Sequence, residues 1–207
     1  SDEHYFTLFY TYGDKELPVI KGLNFDAERG LLVEPSLNQD TITYWLRDTA
    51  LVNSDTLRMA VTHNVCDTAG ILRPQTDTLQ VLAKIPYARR MKLMAENKRK
   101  WEKEQRKRKE RGEAYQTIMP DLTLEPDYDV PSELDPDKNP SIIMPVPIAE
   151  ADTSRIHLYQ KIDTLWYRAK YLLGEKPGTP RRYELVGEWE PGAEYSLEMD
   201  SAAFTDI

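Results

Sequence analysis

The feature that most constrains this chain is a run of basic and polar residues at 84–112, near its middle. Between Lys84 and Arg111 lie 13 Lys or Arg and 4 Glu, a net charge of +9. Charged side chains are almost never fully buried without partners, so this run cannot supply a core. Because the whole chain carries a net charge of −8, the residues on either side of the run are strongly acidic. The sequence therefore predicts a basic segment between two acidic ones.

The basic segment has the signals of a long charged helix over 85–112. Pro86 suits the first helical turn, where its missing N–H costs nothing, and Gly112 is a natural stop. Three Glu residues precede a basic residue by four positions, the order that stabilises a helix: Glu96–Lys100, Glu102–Arg106 and Glu104–Arg108. A helix this polar is expected to project into solvent.

The first flank, residues 1–84, has the pattern of a β-sandwich. Short alternating runs recur about every ten residues, at 4–12, 17–25, 31–34, 41–47, 56–66 and 78–84. In the fifth of these, Leu57, Met59 and Val61 share one face of the strand. Asp-Thr pairs occur seven times along the flanks, and an Asp that closes a turn before a β-branched Thr favours the start of a strand.

The second flank begins with a Pro-rich acidic connector, 113–140, and continues as a second strand-rich region, 141–207. Seven of the 14 prolines fall between positions 120 and 147, interspersed with Asp and Glu. Proline at this density blocks helices and interior strands, so we expect an extended connector. Strand patterns return at 141–148, 155–160, 163–171, 182–189 and 194–200.

Residues 139–207 contain a series of short motifs: Ile-Ile-Met-Pro-Val-Pro-Ile at 142–148, Asp-Thr at 152–153, and Trp-Glu-Pro-Gly-Ala-Glu-Tyr-Ser-Leu-Glu-Met at 189–199, followed by Asp206. In these motifs the region resembles the bacterial immunoglobulin-like domain of S-layer and envelope proteins. It implies a place in the cell envelope, in the periplasm or at the outer-membrane surface. It also implies a longer Gram-negative lipoprotein with tandem immunoglobulin-like modules, its anchor outside this segment and the module at 141–207 incomplete at its C-terminus.

The expected fold is therefore all-β: two immunoglobulin-like β-sandwich modules joined by a long charged α-helix and a Pro-rich acidic connector. One cysteine, Cys66, excludes an intrachain disulfide. No stretch approaches 18 apolar residues, so no transmembrane segment is predicted in this sequence.

Neither catalytic nor cofactor residues are predicted. His63 and Cys66 are three apart and would point to opposite faces of a strand, and His4 and His157 have no partner at ligand spacing. The acidic run Asp135-Pro-Asp-Lys-Asn139 begins like a calcium loop. It then has Pro140 where that loop needs Gly and Val146 where it needs Glu, so no metal site is predicted.

Two sets of surface residues remain as candidate contacts. Clustered cations in the helix could hold an anionic partner: Lys98, Arg99, Lys100, Arg106, Lys107, Arg108 and Lys109. Aromatic residues expected to point outward could stack on sugar rings: Trp45, Trp166, Tyr167 and Tyr171. The rival interpretations are a solvated spacer helix and aromatic residues that pack in the cores.

The function that these patterns favour is a non-catalytic structural or interaction module of a bacterial cell-envelope protein. Its expected partners are other envelope proteins or an envelope polymer, and neighbouring immunoglobulin-like modules of the same longer chain. The alternatives are a polysaccharide- or envelope-polymer-binding module, and a module that binds nucleic acid or an anionic surface through the basic helix. Nucleic acid is not the expected partner, because a net charge of −8 opposes phosphate binding.

Overall fold

A computed structural model describes residues 4–120, 124–200 and 202–207 of the chain. The chain divides into two compact units, unit 1 at Ser1–Asp121 and unit 2 at Leu122–Ile207. Strands dominate both units, and they pair into several antiparallel sheets. The chain is thus mostly β, as the alternating sequence patterns predict.

Over its described residues, 4–120, unit 1 contains six strands, two short helices and one longer helix. The strands are β1 (Tyr5–Phe9), β2 (Val19–Gly22), β3 (Leu31–Pro35), β4 (Thr41–Leu46), β5 (Thr56–Cys66) and β6 (Leu72–Leu82). The helices are α1 (Ala27–Gly30), α2 (Thr49–Val52) and α3 (Tyr87–Glu110). One sheet has the order β1-β4-β3 and the other the order β2-β5-β6, with β5 and β6 paired from Thr56–Leu82 to Cys66–Leu72.

The hydrophobic core of unit 1 is formed by residues from both of its sheets. Alternation along β5 buries Leu57, Met59 and Val61, as the sequence predicts, while Ile42 and Tyr44 enter the same cluster from β4. The rings of Tyr44 and Phe6 are stacked with their centroids 5.1 Å apart. Removing apolar surface from water contributes about 25 cal/mol of favourable free energy per Å², and this is the main force that stabilises such a cluster.

The α3 helix occupies most of the predicted interval 85–112. Its 24 residues correspond to a length of about 36 Å at ~1.5 Å per residue. Asp55 accepts a hydrogen bond from the backbone N–H of Tyr87 at 2.5 Å, which satisfies one of the free amides at the helix start. At the other end Gly112 has φ +73°, a left-handed conformation that glycine adopts without strain.

In unit 2 the described residues, 124–200 and 202–207, form nine strands and one 3₁₀ turn, at Thr153–Arg155. The strands are β7 (Asp127–Asp129), β8 (Ser141–Ile143), β9 (Ile148–Ala151), β10 (Ile156–Ile162), β11 (Leu165–Arg168), β12 (Tyr171–Glu175), β13 (Arg182–Gly187), β14 (Glu194–Met199) and β15 (Phe204–Asp206). They form sheets of order β12-β13-β8-β7, β11-β10-β14 and β15-β9.

The core of unit 2 collects one or two residues from each of several strands. Ile142, Ile156 and Leu185 are fully buried there, and Phe204 packs on them from β15. Ile142 in β8 and Met144 just after it are buried, whereas Ile143 between them is half-buried. This alternation is expected of an antiparallel strand that packs one face on the core.

The structure corrects two local predictions. The segment 163–171 is not one strand: Asp163 has φ +56° in a turn, and β11 and β12 lie on either side of Ala169. The acidic connector is not extended coil throughout, since β7 pairs with β8 as the edge strand of its sheet. Edge positions tolerate flanking prolines because one side of the strand needs no ladder hydrogen bonds.

The Asp-Thr pairs do not all precede strands. Thr41 and Thr56 begin β4 and β5 as predicted. In contrast, the Asp48 side chain accepts from the backbone N–H of Ala50 at 2.8 Å and caps α2, and Asp152 caps the 3₁₀ turn in the same way. An Asp side chain satisfies free amides at a helix start as readily as in a turn, so the dipeptide alone does not distinguish the two.

Candidate functional site

The cations of α3 form one exposed surface. Every residue of α3 is described, and none of the 24 is buried. All the predicted anion contacts are solvent-exposed: Lys98, Arg99, Lys100, Arg106, Lys107, Arg108 and Lys109. The Nε of Arg108 lies 3.8 Å from a carboxylate oxygen of Glu104, so the predicted i,i+4 ion pair forms at this position. Such an exposed pair contributes only a few tenths of a kcal/mol to the stability of a helix.

The start of α3 is attached to unit 1. The guanidinium of Arg90 donates to the backbone carbonyl of Val52 at 2.7 Å and lies 5.8 Å from the ring centroid of Tyr87. Together with the Asp55 cap, these contacts fix the first turn. Farther along, Met91 and Met94 are exposed apolar residues in the same helix as the cations. The helix therefore presents both apolar and cationic side chains to its surroundings.

The chain after α3 turns back along the last turns of the helix. The backbone N–H of Gln116 donates to the side-chain carbonyl of Gln105 at 2.8 Å, and the Lys109 ammonium lies 5.3 Å from the ring centroid of Tyr115. Glu113 pairs with Arg111 at 2.8 Å, and this carboxylate raises the pKa of Arg111 above its usual range. The helix end is thus held by local contacts, which leave the upstream cluster Lys98–Lys100 in solvent.

The predicted sugar-stacking residues are not brought together. Trp45 is 5% exposed, and its indole Nε1 donates to a carboxylate oxygen of Glu34 at 3.1 Å, so the expectation that it points outward is wrong. Tyr171 is half-buried against the core of unit 2, and its hydroxyl donates to the backbone carbonyl of Ile156 at 2.7 Å. Both residues follow the rival interpretation, in which strand aromatics pack inward.

Trp166 and Tyr167 are exposed, as predicted, but they occupy opposite faces of β11. Trp166 is paired across the ladder with Lys161, whose ammonium lies 5.7 Å from the indole centroid, whereas Tyr167 is paired with Gln160. Because adjacent residues of a strand point to opposite faces, the two rings cannot form one stacking platform.

Unit 2 contains a groove that the sequence prediction missed. It has a volume of about 470 Å³ and lies beside the loop between β13 and β14. Its apolar lining includes Leu158, Leu185 and Leu197 and the prolines of the 130–140 segment. Trp189 and Tyr195 also line it.

Trp189 and Tyr195 are held in place by polar contacts within unit 2. The indole Nε1 of Trp189 donates to the side-chain carbonyl of Asn139 at 3.0 Å, and the two rings meet edge to face with centroids 5.0 Å apart. The Tyr195 hydroxyl accepts from the backbone N–H of Glu190 at 3.0 Å and donates to the carbonyl of Glu188 at 3.2 Å. These contacts shape the turn that carries Gly192, whose φ is +77°.

The mouth of the groove is acidic. Glu133, Glu190 and Glu194 line it and are exposed. The carboxylate of Glu190 accepts from the side-chain amide of Gln160 at 2.7 Å, and that of Glu194 pairs with Lys161 at 2.6 Å. Gln160 is neutral, so the charge of Glu190 is not cancelled by its partner.

The sequence did carry a signal for this groove. Trp189 and Tyr195 lie within the stretch on which the immunoglobulin-like resemblance rests. The predicted stacking residues all lie in strand patterns, whereas these two rings meet across the turn before β14. An aromatic pair flanking a Pro-Gly turn is the pattern that could have identified them.

A buried polar cluster lies in unit 1. The hydroxyls of Tyr10 and Tyr44 and the Nδ1 of His63 are buried without a well-formed hydrogen bond, and the rings of Tyr10 and His63 have centroids 5.5 Å apart. Burial raises the pKa of both tyrosines, because the charged phenolate is disfavoured away from water. Both hydroxyls therefore stay neutral at physiological pH, and the cluster is most simply part of the core.

Within the part of the chain that the structure describes, no three His, Cys, Asp or Glu side chains gather as metal ligands. Across residues 4–120, 124–200 and 202–207, no helix combines the length and the apolar composition needed to cross a membrane.

Comparisons with protein-family models, with curated proteins and with solved structures gave no match for this chain.

Proposed function

We propose that this chain is a non-catalytic structural or interaction module of a bacterial cell-envelope protein, with α3 as the element that it offers to an anionic partner. The observation that carries the proposal is that α3 extends for 24 residues without burying one of them. A helix that contributes nothing to a core is not needed to hold its own unit together. Its composition is then free to serve a contact outside the chain.

The chemistry of α3 supports an anionic surface as that partner. Thirteen cations between Lys84 and Arg111 give a dense positive charge, and Met91, Leu93 and Met94 add exposed apolar area near the helix start. Each Lys or Arg near an anionic membrane surface contributes about 1 kcal/mol of attraction at moderate ionic strength. Apolar side chains next to such cations add contact with the acyl boundary.

The envelope location and the immunoglobulin-like assignment of the modules rest on the sequence resemblance at 139–207. In unit 2 the Pro-Gly turn of that stretch leads into β14, whose residues Leu197 and Met199 pack against the core. Mass spectrometry of the mature N-terminus of the native protein tests the location. A lipid-modified cysteine upstream of this segment is the expected result, whereas an unmodified N-terminus in the cytoplasmic fraction contradicts it.

Reversing four charges tests the role of α3. The variant Arg106→Glu, Lys107→Glu, Arg108→Glu and Lys109→Glu should lose at least tenfold in binding to vesicles that contain 30% phosphatidylglycerol, measured by co-sedimentation. Vesicles of phosphatidylcholine alone should bind neither protein. The matched control exchanges Lys and Arg at the same four positions and keeps the charge. Equal binding by the reversed variant, or no binding by the parent chain, would remove α3 as the contact.

A further inference from the structure

The groove of unit 2 has the size and lining of a ligand site. Its volume of about 470 Å³ falls within the usual range of roughly 300–1,000 Å³ for ligand pockets. Leu158 and Leu185, which are almost completely buried, line it together with the rings of Trp189 and Tyr195. A mostly apolar interior with few polar groups at the mouth is the usual composition of such pockets.

The aromatic side of the groove is already fixed. Trp189 is tied to Asn139, and Tyr195 uses its hydroxyl both as acceptor and as donor within its own turn. A ligand would therefore meet rings whose positions are set before it arrives, which lowers the ordering cost of binding. The same contacts engage the indole N–H and the phenol, the polar atoms of these two rings.

The charges at the mouth select the class of ligand. Glu133, Glu190 and Glu194 lie there, and among the described residues that line the groove none is Lys, Arg or His. Among the described ion pairs, one involves these three carboxylates: the ammonium of Lys161 lies 2.6 Å from Glu194. The mouth therefore offers acceptors and negative charge, which complement a ligand with cationic donors and oppose nucleic acid or an acidic polymer.

A lysine or arginine side chain complements both the apolar lining of the groove and the carboxylates at its mouth. Its aliphatic stem can cover apolar surface such as that of Leu197 and Trp189, while its charged head stays near the carboxylates in water. Neutral sugars fit less well, because the indole N–H and the phenol that would bond their hydroxyls are engaged. A peptide also brings neighbouring apolar residues to fill the remaining volume.

We propose that this groove binds a short extended peptide segment of another protein, with a Lys or Arg beside apolar residues. The cationic head lies near Glu133 and Glu190, and the apolar neighbours contact Trp189 and Tyr195. This surface is separate from α3 in sequence and opposite to it in charge. The inference therefore does not rest on the anionic partner proposed for the helix.

The test uses the full chain and three capped hexapeptides of the repeat Pro-Leu-Xaa, with Xaa as Lys, Gln or Glu. We expect the Lys peptide to bind in isothermal titration calorimetry and to shift the backbone amide signals of Gly192 and Ala193 in two-dimensional NMR spectra. The Glu peptide should bind at least tenfold more weakly than the Lys peptide, and the Gln peptide should fall between them.

Two substitutions locate the contact. Glu133→Lys changes an exposed residue at the mouth and should weaken binding of the Lys peptide at least fivefold. Glu198→Lys makes the same change in charge at an exposed residue of β14 that does not line the groove, and it should change the affinity by less than twofold. The variant with four reversed charges in α3 should bind the peptide as the parent chain does, so a failure of one proposal can be told from a failure of the other.

Three results would overturn the inference. Equal affinity for the Lys and Glu peptides would show that the carboxylates do not select the ligand. If Glu133→Lys and Glu198→Lys weaken binding of the Lys peptide equally, the loss of affinity follows from the net charge of the chain and not from a contact at Glu133. Binding of cellohexaose, with the same amide shifts and no binding of the Lys peptide, would assign the groove to a neutral polysaccharide.

Discussion

The two units of this chain use the same kind of core and present opposite kinds of surface. Unit 1 buries Ile42, Tyr44 and Met59 between two sheets, and unit 2 buries Ile142 and Leu185 in the same manner. On the outside, unit 1 carries the cations of α3, whereas unit 2 carries a groove with carboxylates at its mouth. The overall net charge of −8 describes neither surface. The charge of each segment therefore indicates its partner better than the net charge of the whole chain does.

The largest expected effect tests whether the two cores are equally well packed. Ile42→Ala in unit 1 and Leu185→Ala in unit 2 should each lower the free energy of unfolding by about 2–5 kcal/mol, because each removes a fully buried side chain and leaves a cavity. Urea denaturation followed by circular dichroism measures both losses. A much smaller loss in one unit would show that its core relaxes to fill the cavity. The two cores would then not be equally well packed.

The controls for the core substitutions are leucines that lie in solvent. Leu37 in unit 1 is 83% exposed and Leu172 in unit 2 is 75% exposed. Replacing either one by Ala should change the free energy of unfolding by no more than about 0.5 kcal/mol. If Leu172→Ala costs as much as Leu185→Ala, the outer face of β12 is covered by something in solution.

A smaller effect concerns the aspartates that cap short helical turns in both units. Asp48→Ala should destabilise unit 1 by about 1 kcal/mol, because it removes the acceptor for the Ala50 amide and loosens the turn that carries buried Leu51. Asp152→Ala should act in the same direction in unit 2, where it frees the amide of Ser154. Thermal unfolding measures both changes. The Asp→Asn variants keep an acceptor and should lose less, and an equal loss would contradict capping as the cause.

Most of the β architecture could be predicted because alternation reports burial directly. The 56–66 pattern gave β5 at its full length, since one face of that strand is core and the other is not. The division of 163–171 was missed because neither Gly nor Pro marks the break at Ala169 and Lys170, between β11 and β12, and because Asp163 belongs to the turn between β10 and β11. Asp163 adopts the left-handed conformation there, as Asp and Asn do more readily than other non-glycine residues.

The candidate sites were harder to predict than the strands. Exposure of the α3 cations follows from composition alone, because so many charges cannot be buried. Trp45 could not be placed from its sequence neighbours: it lies in an interior strand, β4, and Glu34 from the adjacent strand β3 satisfies its indole N–H. The groove joins residues more than 50 positions apart, from Glu133 to Tyr195, and such a meeting is set by tertiary packing.

The smallest expected effect is the loss of stability at acid pH, to which one aspartate in each unit contributes. In unit 1 the Asp67 carboxylate accepts from the backbone amides of Ile71 and Ala69 and from Arg73, and these bonds lower its pKa below the ordinary value near 3.8. In unit 2 the hydroxyl and amide of Ser154 lower the pKa of Asp152 in the same way. Each carboxylate is therefore more acidic in the folded protein than in the unfolded chain.

A depressed folded pKa stabilises the protein above the unfolded value, and this contribution is lost as the pH falls through the folded value. Asp67→Asn and Asp152→Asn should therefore both be less stable than the parent chain at pH 7. Their difference from the parent should shrink below about pH 4 and vanish at the acid limit, as urea titrations at a series of pH values would show. Because protonation and the Asn substitution remove the same negative charge, the two perturbations cannot add. If the stability difference between variant and parent persists undiminished to pH 2, the side-chain geometry rather than the charge holds the turn. If only one of the two variants differs from the parent, the acid sensitivity lies in that unit alone.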